Sequence, residues 1–322
     1  MIPKKKIVIV FGDPNSINSE IIFKTWKKLN QLIRKKICVI GNYNLIKKQL
    51  DKLGYYLKLN KLKNINDDID HKMLNIINVN LNFKNPFKVS IKHSSAFVKE
   101  SLDLAHFLST KNHINGFINC PINKTILKNG QGVTEYLAKK CDTEKDTEVM
   151  LIRNKKLSVI PITTHIDINK ISNKITPLLI KKKINTFDKW FKKTYNRKPK
   201  IAILGLNPHN AELKKNSKEF KVIKPTINQL KKKGLKLTGP LAADTVFIEN
   251  YKNYDVVIGM YHDQVLTPLK ALFKFEAINI TLGLKYFRAS PDHGVAIDLI
   301  KKNKANPISL IHCVDFFNKL KK

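Results

Sequence analysis

Short runs of β-branched and other apolar residues alternate along this chain with longer lysine-rich stretches whose apolar positions recur every three or four residues. Continuous apolar runs suit strands buried on both faces, and the 3.6-residue recurrence suits helices laid against them. The alternation therefore predicts α/β units around a largely parallel sheet. The expected strands are Lys6–Phe11, Lys36–Ile40, Gly116–Asn119, Leu157–Thr164, Lys200–Gly205, Asp255–Met260, Ala277–Thr281 and Ile308–Ile311. Expected helices cover Ser19–Arg34, Ser94–Ser109, Thr134–Lys140, Ile166–Lys181, Thr186–Lys193, Ile223–Lys232 and Ala242–Asn250. Residues 51–90 are rich in Asn, Lys and Leu and are broken at Asp67-Asp68 and Asn85-Pro86, so they are expected to form a peripheral, partly irregular excursion.

A chain of 322 residues can bury one large core or two medium ones, and two α/β lobes are expected. The expected division is 1–125 with 295–322 as a first lobe and 126–294 as a second, the latter carrying most of the chemistry. A hinge is expected near 120–135, where Cys120-Pro121-Ile122-Asn123-Lys124 follows a strand and Gly130 and Gly132 come soon after.

Charge changes the picture less than its size suggests. The formal net charge is +35, and basic surfaces attract phosphate backbones. Yet of 60 basic residues only Arg34, Arg153, Arg197 and Arg288 are arginine, so the bidentate guanidinium fork is nearly absent. Lysine, asparagine and isoleucine are enriched together and spread along the whole chain, as a biased coding composition produces. No nucleic-acid partner is expected. No apolar run reaches the roughly 20 residues of a membrane span. The charged lead-in to Ile7-Val8-Ile9-Val10 is followed by too brief an apolar stretch for a secretory signal, so a cytoplasmic location is expected. Cys38, Cys120, Cys141 and Cys313 lack the spacing of a disulfide framework or a thiolate zinc site.

Three histidines share one address. His165, His209 and His262 each lie just past an apolar, strand-like run. In open α/β sheets, ligands bind outside the carboxyl ends of the strands. Three imidazoles delivered there could meet at one cation, with positions left for water or substrate. The alternative is that each separately caps a strand or satisfies a loop carbonyl. His293, in Asp292-His293-Gly294, could fix a loop nearby; the other five histidines lack this placement. Downstream, Lys270, Asn279 and the rare Arg288 alternate with apolar strand and could hold phosphate and carboxylate groups. Gly130-Gln-Gly132-Val-Thr134-Glu135 lacks the third glycine of a dinucleotide fingerprint, and there is no Walker A motif.

Taken in order, Gly12-Asp13-Pro14, Pro121-Ile122-Asn123-Lys124, Thr134-Glu135, Thr163-Thr164-His165, Gly205-Leu206-Asn207-Pro208-His209, Gly239-Pro240 with Ala243-Asp244-Thr245, Met260-Tyr261-His262-Asp263-Gln264, Asn279 with Gly283-Leu284, and Arg288 with Asp292-His293-Gly294 resemble the 4-hydroxythreonine-4-phosphate dehydrogenase (PdxA) family over nearly the full length. The resemblance implies a two-lobed α/β/α subunit related in architecture to the isocitrate and isopropylmalate dehydrogenases. It implies a homodimer in which His165, His209 and His262 bind one divalent metal (zinc, cobalt, manganese or magnesium), one of them supplied across the dimer. Thr134, Lys270, Asn279 and Arg288 would bind a phosphorylated amino-acid substrate, with Asp244 and Lys270 as candidates for proton transfer. The implied chemistry is NAD- or NADP-dependent oxidation of 4-phosphohydroxy-L-threonine at C3, followed by metal-assisted decarboxylation to 3-amino-2-oxopropyl phosphate, in pyridoxal phosphate (vitamin B6) biosynthesis.

The chain also departs from the family pattern. The first motif runs Gly12-Asp-Pro-Asn-Ser-Ile-Asn-Ser-Glu20 where glycines are usual, Val133 replaces a histidine, and Asn210–Glu219 has lost the glycines of its loop. Two other classes compete with the dehydrogenase expectation. A metal-dependent phosphoester hydrolase would use the same histidines and basic anchors, with more carboxylate ligands and no nicotinamide. A nucleic-acid binder would account for the charge and leave the histidines unexplained.

Overall fold

The structure is a computed structural model that describes residues 6–127 and 132–320. Among these residues twelve strands follow one another: β1 (Ile7–Val10), β2 (Ile37–Gly41), β3 (Leu59–Leu62), β4 (Leu74–Asn78), β5 (Gly116–Asn119), β6 (Val149–Arg153), β7 (Ser158–Thr163), β8 (Lys200–Leu204), β9 (Lys236–Leu241), β10 (Val256–Tyr261), β11 (Ile278–Leu282) and β12 (Phe287–Pro291). They divide between two compact units, one made of the residues up to Cys141 together with Leu284–Leu320, the other of Asp142–Gly283.

In the first unit the strand order is β3-β4-β2-β1-β5-β12, all parallel. β1 and β5 are buried at every position, which explains why their sequences read as unbroken apolar runs rather than alternating ones. In the second unit the order is β11-β6-β7-β10-β8-β9, with β7, β10, β8 and β9 parallel and β6 antiparallel to both β7 and β11. The α/β expectation holds for both units.

Several local expectations are corrected. The excursion at 51–90 contains β3 and β4, which extend the parallel sheet beyond β2. Ile308–Ile311 is the first turn of a helix, Ile308–Lys319. A four-residue apolar run cannot separate strand from buried helix, whereas Ser309, Leu310, Cys313, Val314 and Phe317 bury one helical face. The two helices expected at 166–193 form instead as a short helix, Ile168–Lys174, and one long helix, Pro177–Tyr195. Thr176 accepts from the Leu179 N–H, Pro177 occupies the first helical position, and Asn196 ends the helix in the left-handed region. The helix at 242–250 is reduced to Ala243–Val246. β12, which carries Arg288, was absent from the expected strands. It pairs with β5, so Arg288 belongs to the first unit, and the division falls at 141/142 and 283/284 rather than at 125/126 and 294/295. Lys128–Gln131, part of the expected hinge, lie outside the described residues.

Candidate functional site

In the second unit the three histidines occupy the carboxyl ends of three parallel strands. β7 ends at Thr163, and His165 follows with φ +43°. β8 runs into Gly205-Leu206-Asn207-Pro208, and His209 follows with φ +49°. β10 ends at Tyr261, and His262 opens the helix His262–Phe273. β10 lies between β7 and β8, so the topology places all three side chains at one edge of one sheet. The rings of His165 and His262 stand 5.6 Å apart between centroids. Two imidazoles bound to one cation at nitrogen–metal distances of about 2.0–2.1 Å hold their ring centres roughly 5 Å apart, so this pair fits a divalent metal. His262 Nδ1 lies 2.6 Å from Asp263 Oδ1, a carboxylate contact of the kind that fixes the tautomer and presents Nε2 to a metal.

His209 has different company. Its side chain is 76% exposed, and Nδ1 is 3.9 Å from Asp244 Oδ2 on the helix Ala243–Val246. Among the described residues no three His, Cys, Asp or Glu side chains converge tightly enough to hold a cation. A single chain thus assembles a pair of imidazoles, with the third histidine at the same sheet edge. Lys270 lies on the helix His262–Phe273 with its ammonium 5.5 Å from the centre of the Phe275 ring. Asn279 is the second residue of β11, opposite Ile152, and its Oδ1 is buried without a hydrogen-bond partner among the described residues. An orphaned buried acceptor costs about 1–3 kcal/mol unless something donates to it, which suits a ligand group.

The first unit carries the other expected anchors. Arg288, in β12, is only 4% exposed. Its Nε donates to Asn119 Oδ1 at 2.6 Å and Nη1 donates to Thr134 Oγ1 at 3.3 Å. Burial pulls its pKa down to about 10, still well above neutrality, so the guanidinium is cationic. Thr134 is the second residue of the helix Val133–Lys140, and Val133 beside it is half-buried. At the carboxyl end of β1, Asp13 is buried and its pKa is pushed up to about 6 by that burial, against the pull of the Asn15 and Asn123 N–H groups. The chain turns here at Gly12, φ +80°, where a Cβ would lie 2.7 Å from the Pro121 carbonyl oxygen.

The sequence assigned no role of their own to four residues that shape these sites: Asn119 and Glu219, and Asp13 and Gln264, which it marked only as parts of motifs. Asn119 carried a readable signal, a polar residue closing a buried strand. Glu219 did not, because its partners, Leu206 and Asn207, lie in a different loop segment.

The family described as pyridoxal phosphate biosynthetic protein PdxA matches residues 33–316. A 4-hydroxythreonine-4-phosphate dehydrogenase of Sulfurihydrogenibium sp. (strain YO3AOP1) is 36% identical over 327 residues, covering 98% of each chain. A D-threonate 4-phosphate dehydrogenase of Pectobacterium atrosepticum is 30% identical over 323 residues, covering 95% of this chain and 96% of that one. Among solved structures, a 4-hydroxythreonine-4-phosphate dehydrogenase from Klebsiella pneumoniae is similar with a TM-score of 0.86 at 28% identity, covering 98% of this chain and 99% of that one.

Proposed function

The chain belongs to the PdxA family of pyridoxal phosphate biosynthetic proteins, and from that premise we propose that it oxidises the C3 hydroxyl of 4-phosphohydroxy-L-threonine with NAD or NADP and releases the carboxylate as carbon dioxide, leaving 3-amino-2-oxopropyl phosphate. The observation that carries this reading furthest is the His165–His262 pair at the carboxyl ends of β7 and β10. A divalent metal bound there would lower the pKa of the C3 hydroxyl and polarise the carbonyl formed from it, and the nicotinamide would accept the hydride.

The chain's own groups supply the rest. His165 and His262 are the proposed ligands, with His209 as the third. Neutral imidazoles leave the full charge of the cation acting on the substrate. Asp244, which lies 3.9 Å from His209 Nδ1 and so outside hydrogen-bond range of that ring, and Lys270 are the groups proposed to exchange a proton with the substrate. Thr134, Lys270, Asn279 and Arg288 are the proposed substrate contacts. Arg288, held by Asn119 and Thr134, is set in place before an anionic group arrives, so little rotamer entropy is lost on binding. The working unit is proposed to be a homodimer whose metal site draws on both chains; in keeping with this, no three such ligand side chains converge among the described residues of one chain.

A second substrate has support of its own. The relative from Pectobacterium is named for D-threonate 4-phosphate, a hydroxy acid that carries the phosphate and lacks the amino group. Purified protein supplied with Zn²⁺, Co²⁺, Mn²⁺ or Mg²⁺ should reduce NAD or NADP with 4-phosphohydroxy-L-threonine, at least tenfold faster than with D-threonate 4-phosphate, and a chelator should stop it. Faster turnover of D-threonate 4-phosphate would reassign the substrate, and reduction with neither would remove the proposal.

A further inference from the structure

The three histidine-bearing strand ends are tied to one another by side chains other than the histidines themselves. Thr163 Oγ1, at the end of β7, donates to the Met260 carbonyl at 2.8 Å. Gln264 Oε1 accepts from the Met260 N–H at 2.7 Å, and Gln264 Nε2 donates to the Gly205 carbonyl at 2.7 Å. One amide therefore bridges the end of β10, two residues before His262, and the end of β8, four residues before His209. Glu219, fully buried, secures the next step of that loop: Oε1 accepts from the Leu206 and Asn207 N–H groups at 2.8 and 2.7 Å, and Asn207 Nδ2 donates to Oε2 at 3.0 Å.

The backbone is shaped to admit the bridge. At Gly259 a Cβ would stand 2.8 Å from Gln264 Oε1 and 2.5 Å from Val265 Cγ1, so any larger residue in β10 would push the amide off the Met260 N–H. At Gly205 a Cβ would lie 2.0 Å from Asn210 Oδ1. A surface glutamine with solvent on both sides would not need Gly259. The loop beyond Gly205 also carries backbone strain, because His209–Leu213 all have φ near +50°, a conformation L-residues adopt at a cost of about 1–2 kcal/mol each.

We infer that Gln264 is a positioning residue of the histidine cluster, fixing at once the strand end that presents His262 to its own chain's share of a metal site and the strand end that leads to His209, the ligand this chain would offer to its partner's site. The inference rests on the proposed metal role of those histidines. It goes beyond that role by locating what sets their geometry, since a metal selects ligands already held near its preferred positions and a loose set binds it weakly. The amide suits the task because a carboxylate could not donate to the Gly205 carbonyl and an aliphatic chain could do neither.

The test is Co²⁺ titration of the full-length protein, followed by visible absorption, which reports both affinity and coordination geometry. Gln264→Met keeps the volume and removes both hydrogen bonds; it should fold, bind Co²⁺ about 10–100-fold more weakly and shift the absorption bands. Gln264→Glu, which keeps the acceptor for Met260 and loses the donor to Gly205, covers the case in which Gln264→Met does not fold, and should weaken Co²⁺ binding at least tenfold. His165→Ala serves as the reference for loss of a ligand. Wild-type affinity and spectrum in a folded Gln264 variant would overturn the positioning role while leaving the metal reading intact. Wild-type protein whose Co²⁺ binding is absent, or unchanged by His165→Ala, would overturn the metal reading and the positioning role with it.

Discussion

Asp13 shows how one buried side chain makes stability depend on pH. Its carboxyl titrates at about 6 in the folded chain against 3.8 as a free side chain, because burial penalises the charged form more than the Asn15 and Asn123 N–H groups favour it. An acid with a raised folded pKa holds its proton more tightly when folded. Its contribution is therefore fully present below 3.8 and is lost as pH rises through about 6. Between pH 5 and pH 8 the expected loss is on the order of 1 kcal/mol, from the logarithmic dependence of linkage on the two pKa values. Urea unfolding of wild type and Asp13→Asn at both pH values isolates this effect from the general repulsion of the lysines: the difference between the two proteins should shift by that amount in favour of the Asn variant. Parallel behaviour would show that Asp13 titrates at its ordinary value.

At the scale of a loop, His209–Leu213 concentrates five left-handed residues with no glycine among them. The segment persists because its flanks are pinned, by Asn210 Nδ2 on the Pro240 carbonyl at 3.2 Å and by Glu219 on Leu206 and Asn207. Ala211, with φ +49°, has no side-chain hydrogen bond to lose, so Ala211→Gly removes a Cβ penalty and adds only chain entropy to the unfolded state. It should raise the stability of the chain by about 0.5–1 kcal/mol in urea unfolding. A lowered urea midpoint would mean that Ala211 packs in a way that outweighs its backbone strain. The same comparison at Glu212 is less clean, because its carboxylate meets Lys214 at 3.2 Å.

At the scale of the whole molecule, the proposed shared metal site makes a prediction about which histidines act together. On that proposal the two rings that stand 5.6 Å apart, His165 and His262, would form one chain's share of a site, and His209 would serve its partner's. In a mixed dimer of His165→Ala and His209→Ala, one site would lose both shares and the other would be intact. Co-refolding the two inactive variants should restore about a quarter of wild-type NAD reduction, since half the dimers would be mixed and each would hold one good site. Co-refolding His165→Ala with His262→Ala should restore none, because each chain's share would be broken. The opposite pattern, or a fully active monomer, would dismiss the assignment. The high net charge does not obstruct such pairing in principle, because the lysines are distributed over the whole chain and are screened at physiological salt.

Sequence by itself determined the α/β class, the addresses of the three histidines and the cores of β1, β2, β5, β7, β8, β10 and β11, because each rests on a local signal: an unbroken apolar run, followed by the residue that emerges from its end. It also marked Arg288 through its rarity among the basic residues. Tertiary structure alone decided what those residues touch. Arg288 meets Asn119 across 169 residues and Gln264 meets Gly205 across 59, pairings created by strand adjacency in the sheet and invisible to any periodicity. It decided too that Ile308–Lys319 is a helix and that residues 51–90 contribute β3 and β4. Short or weakly apolar segments have no conformation of their own strong enough to read. Their form is settled by whether a neighbouring strand offers an unpaired backbone edge or a neighbouring face offers an apolar surface to cover.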